Sequence, residues 1–144
     1  MRNLLKLLVF SICTFTFSQE IYTIKNVSQF AIYPGCEEKT DDYVECFNTK
    51  LNHDLEERLS KIKLDKILQK SGDYFAKLNF IIDENGYFSN ITSQGNETLG
   101  RIATQILYKI NREQEENSTK IKPALINENP VKVYFNIPVR YSNN

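Results

Sequence analysis

The chain predicts an α+β fold: a two-layer α/β sandwich in α-β-β-α-β order, with a three-stranded antiparallel sheet covered on one face by helices. Three patterns carry this reading. Leu99, Ile102, Ala103, Ile106, Leu107 and Ile110 recur at three- and four-residue spacing, which lines them up on one side of a helix. Ala76, Leu78, Phe80 and Ile82 alternate with Lys77, Asn79 and Ile81 and run into Asp83-Glu84-Asn85-Gly86, which has the residues of a hairpin turn. Val131, Val133, Phe135, Ile137, Val139 and Tyr141 alternate with Lys132, Tyr134, Asn136, Pro138 and Arg140, so the last strand has one apolar and one polar face. A strand of that kind belongs to a sheet with helices on one side only.

Taken in order, residues 1–18 have the layout of a secretory signal peptide. Arg2 and Lys6 precede an apolar run from Leu7 to Phe17, and the small side chains of Thr16 and Ser18 suit cleavage after Ser18. The run is short of the roughly 20 apolar residues a membrane span needs. Its removal takes away Cys13, Arg2 and Lys6 but no acid, leaving a net charge of −2. Cys36 and Cys46 then form an even pair in a chain bound for an oxidising, periplasmic or secreted location, and one disulfide between them is expected.

Residues 19–41 read as an irregular N-terminal arm, with a turn at Tyr33-Pro34-Gly35-Cys36. The domain proper, residues 42–144, opens with a helix over 42–63, since Phe47, Leu51, Leu55, Leu59 and Ile62 form one stripe. Residues 64–73 suggest a short second helical piece stopped by Ser71-Gly72-Asp73. After the hairpin turn, Phe88 and Ile91 lie three apart, which places a bulge between them. Gln94-Gly95-Asn96 caps the helix that carries Leu99, residues 112–120 read as a polar loop, and the final strand spans 130–141.

Composition narrows the function. At 144 residues, 41% hydrophobic and 25% charged, the chain holds one ordinary globular domain. Eighteen Lys+Arg balance 18 Asp+Glu, which lacks the basic excess of a nucleic-acid binder. A single histidine, His53, leaves few means for acid-base, nucleophilic or transition-metal chemistry, so no enzyme activity and no cofactor are expected. His53, Asp54 and Glu57 on the first helix read as a solvated charged surface, and Asp83-Glu84-Asn85-Gly86 lacks the ligand spacing of an EF-hand calcium loop.

Three segments together resemble the TonB C-terminal domain family, in its small exported Bacteroidota form. One is the hairpin Phe80-Ile81-Ile82-Asp83-Glu84-Asn85-Gly86-Tyr87-Phe88. Another is Ile121-Lys122-Pro123-Ala124 followed by Asn129-Pro130-Val131-Lys132-Val133-Tyr134-Phe135-Asn136-Ile137-Pro138-Val139. The third is Tyr33-Pro34-Gly35-Cys36 with Cys46-Phe47. The resemblance implies a stand-alone interaction module that binds an extended N-terminal segment of an outer-membrane receptor or other envelope protein by β-strand addition, with a link to TonB-dependent transport. The expected peptide-binding edge is the last strand, over Val131, Lys132, Val133, Tyr134, Phe135, Asn136 and Ile137, and Pro138 suits an edge because proline has no N–H for a central ladder, whether it serves binding or blunts the edge against aggregation, two roles that are not exclusive. The alternative is an envelope protein that uses the same edge to form a homodimer.

Overall fold

A computed structural model describes residues 20–144. The expected signal segment 1–18 lies outside the described residues. The elements are β1 (Ile21–Tyr22), a 3-10 turn (Ile24–Asn26), α1 (Tyr43–Ser60), α2 (Leu64–Leu68), β2 (Gly72–Ile82), β3 (Phe88–Gly95), α3 (Glu97–Asn117), β4 (Ala124–Ile126) and β5 (Asn129–Asn143). The α+β class stands. The sheet, however, has five strands where three were expected, and the order gains β1 and β4, while the short helical piece expected over 64–73 is α2. It is also not wholly antiparallel, since β1 runs parallel to β5. The reason lies in the length of β5. Its partner β2 ends at Ile82, opposite Val133, so the first residues of β5 project past β2 with backbone groups that need other partners. β4 folds back on 129–131 through a two-residue turn, Asn127-Glu128, with both residues at positive φ, and β1 lies beside Lys132 and Val133.

Local chemistry explains the longer elements. Asp42 caps α1 by accepting from the Glu45 amide at 2.8 Å, and Asn96 caps α3 by accepting from Leu99 at 2.9 Å. The β2–β3 turn is held by Asp83, whose Oδ1 accepts from the amides of Asn85 and Tyr87. The bulge falls where the spacing placed it: pairing shifts between Asn79/Thr92 and Ile81/Ser89, and Asn90 takes positive φ. In contrast, α3 continues through the expected loop to Asn117, because its last turns find partners. Gln114 is buried, with Nε2 donating to the Gly86 carbonyl at 3.4 Å and Oε1 accepting from the Ile121 amide at 2.8 Å.

The core lies between the helices and one face of the sheet. On β2 and β5 the pairs Ala76/Val139, Leu78/Ile137, Phe80/Phe135 and Ile82/Val133 face inward and are buried. The α1 residues Phe47, Leu51, Leu55 and Leu59 and the α3 residues Leu99, Ile102, Ala103, Ile106, Leu107 and Ile110 pack on them. The arm is part of this core. Phe30, Ala31, Ile32, Tyr33 and Cys36 are buried, and Phe30, Phe47 and Phe135 form a cluster with ring centroids 5.2–5.6 Å apart. The Cys36–Cys46 disulfide, with Cα atoms 6.0 Å apart, fastens the arm to the first turn of α1.

Candidate functional site

The candidate site is the outer edge of β5. β2 occupies one side of β5 along 133–143, and β1 occupies the other only at Lys132 and Val133. Among the described residues no strand pairs with that outer side from Tyr134 to Asn143. Pro138 fixes the phase of the open backbone. It stands opposite Lys77 in an uninterrupted ladder and has no N–H to give β2, so its backbone turns outward. By the two-residue period of a strand, Tyr134, Asn136, Arg140 and Ser142 also turn their N–H and C=O outward. β1 beside Lys132 and Val133 and the inward hairpin pairing of Asn129 and Val131 with β4 obey the same phase.

The residues expected at the edge divide accordingly. Val131 is opposite Ala124 of β4, while Lys132 and Val133 are opposite Ile21 and Tyr22 of β1. These three are already paired by the chain itself, and Lys132 lies 4.0 Å from the Glu84 carboxylate. Tyr134, Phe135, Asn136 and Ile137 remain on the open stretch, which runs six residues further than expected, through Asn143. Phe135 and Ile137 point into the core. Tyr134 is 39% exposed, and its hydroxyl donates to Asn79 Oδ1 at 2.8 Å across the solvent face. Further along that face Phe75 is 47% exposed, with the Arg140 guanidinium 5.8 Å from its ring centre.

A groove of about 530 Å³ flanks the open edge, between the start of α1 and the middle of β5. Val44, Glu45 and Asn48 line it from the helix, Asn136 and Pro138 from the strand. The helix wall was missed from sequence, because nothing in the α1 pattern shows that its first turns run beside the last strand.

A second polar cluster joins the arm to both long helices. The Tyr33 hydroxyl donates to Asp54 Oδ2 at 2.5 Å, Arg58 donates twice to Glu113 at 3.0 and 2.6 Å, and Arg58 Nε lies 3.5 Å from Asp54. Burial, and then the bond to Asp54, push the Tyr33 hydroxyl well above the usual phenol range, so it stays a neutral donor. The hydrogen bond from Arg58 holds the Glu113 carboxyl below the usual range. Each charge here already has its partner, so the cluster clamps arm, α1 and α3 together. Asp54 therefore belongs to this clamp rather than to a wet surface, and His53 beside it is exposed. Among the described residues no grouping of His, Cys, Asp and Glu could hold a metal ion, and no helix is long and apolar enough to cross a membrane.

Comparisons with family models, with curated proteins and with solved structures found no match to this chain.

Proposed function

We propose that this protein is an exported, TonB-like interaction module that takes an extended segment of an outer-membrane receptor or other envelope protein as an added strand on β5. The observation that carries the reading is the unpaired outer side of β5 from Tyr134 to Asn143. Strand addition uses backbone groups for affinity and side-chain pockets for selectivity, and this edge offers both, with the outward phase set by Pro138 and a groove alongside. β1 supports the same reading: a separate piece of extended chain already pairs with the start of this edge. The signal-like segment 1–18 supports a periplasmic or secreted setting, where the Cys36–Cys46 disulfide would persist. The resemblance of the hairpin and of the last strand to the TonB C-terminal family supports a receptor segment as the partner, and a link to transport.

The test is a titration of nitrogen-15 labelled protein with peptides from the N-termini of the outer-membrane receptors of its source organism. The expected result is amide shifts concentrated on residues 134–143. Asn136→Pro removes one outward N–H while leaving the β2 ladder intact, so it weakens binding in a folded protein. Binding that ignores Asn136→Pro, or shifts confined to other surfaces, refutes the assignment. Sedimentation without peptide separates the homodimer, which alone makes the mass concentration-dependent.

A further inference from the structure

The groove beside the edge also identifies the chemistry of the segment, an inference that rests on the strand-addition reading above. A strand added to β5 sends alternate side chains to the two faces of the sheet. Those on the helix side pass the first two turns of α1, where Asp42 and Glu45 line the groove together with Val44 and Asn48, and no basic side chain lines it. The chain running into that turn, Glu37-Glu38-Lys39-Thr40-Asp41, adds three more carboxylates against one lysine. The α1 N-terminus contributes an opposing field, but it amounts to roughly half a positive charge, which two full carboxylates outweigh. On the other face the added strand lies beside Tyr134, Asn136 and Pro138, which are uncharged, and at its far end beside Arg140, whose guanidinium sits over the Phe75 ring. We infer that the occupant of the β5 edge is an extended segment of alternating pattern, with Lys or Arg at successive helix-side positions and apolar residues between them.

The probes are two end-blocked peptides of about eight residues, a usual strand length, one alternating Val with Lys and the other Val with Glu. Each is titrated into the labelled protein and into its Asp42→Asn/Glu45→Gln variant. Asparagine caps a helix as well as aspartate does, so the variant loses charge while keeping the cap. Glu45→Gln alone leaves the Asp42 cap side chain unchanged and carries part of the effect. The Val/Lys peptide is expected to shift amides of residues 134–143 and to bind at least about tenfold tighter than Val/Glu. The double variant weakens it about fivefold, the scale of two surface ion pairs, and raising salt from about 0.05 to about 0.5 M does the same. Equal binding of both peptides at the edge overturns the charge assignment and leaves strand addition standing. Val/Lys binding without shifts in 134–143 overturns it too, as attraction to an acidic surface only. No binding of either peptide, with receptor segments also failing, overturns strand addition itself.

Discussion

Reducing the Cys36–Cys46 bond tests how far the arm is held by the covalent link and how far by packing. The bond closes a loop of sequence separation 10. In the chain-entropy model this removes about 9 cal/mol/K from the unfolded chain, or about 2.7 kcal/mol at 25 °C. Against a total of about 5–15 kcal/mol for a domain of this kind, that is a large share. With a urea slope of about 1–3 kcal/mol per molar, the unfolding midpoint should fall by about 1–3 M when the protein is fully reduced. Equilibrium urea unfolding by circular dichroism, with and without a thiol reductant, measures it. Cys36→Ala/Cys46→Ala checks that the loss follows the link rather than the reductant. The native fold survives in both, because Phe30, Ala31, Ile32 and Tyr33 keep their places in the core. An unchanged midpoint on reduction would refute the argument, since the cross-link would then restrict nothing in the unfolded chain. Loss of all folded signal in water would refute it from the other side, because the packing of the arm would then contribute too little to keep the fold.

Three further outcomes follow from the same structure. Phe135→Ala, which removes a buried ring in contact with Phe30, Phe47 and Phe80, should cost about 3–5 kcal/mol in urea unfolding, while Phe75→Ala on the solvent face should stay within about 0.5 kcal/mol. Gly86→Ala should destabilise more than Gly72→Ala by about 1–3 kcal/mol. Both positions have positive φ, but a Cβ at Gly86 would sit 1.9 Å from the Ile121 carbonyl oxygen, whereas one at Gly72 meets nothing within 4 Å. Glu113 has a lowered pKa in the folded state, owing first to its hydrogen bond from Arg58, so its stabilisation is present above the ordinary carboxylate range. That stabilisation is lost as pH falls through the lowered folded-state value, and Glu113→Gln should flatten this acid limb in thermal unfolding followed from about pH 6 down to about pH 2.

The long elements were legible because each carries its own repeating signal. α1 and α3 have apolar stripes at helical spacing, β2 and β5 alternate, and Gly86 and Asn96 mark a turn and a cap. The bulge at Asn90 was readable from one misplaced apolar spacing. β1 and β4 were not, since two or three residues hold no period and pair only because β5 outruns β2. The end of α3 was misread as a loop because Arg112, Glu113 and Gln114 are polar. They stay helical because Glu113 meets Arg58 of α1, and Gln114 meets Gly86 and Ile121.

The candidate site divides in the same way. Sequence alone named the last strand, its two faces and Pro138, because alternation and the missing N–H of proline are local properties. Only the tertiary structure decided that residues 131–133 are already paired, that the open stretch runs through Asn143, and that the acidic start of α1 lies along it. Those facts depend on where the ends of other elements fall, and no local pattern in β5 encodes the position of its neighbours.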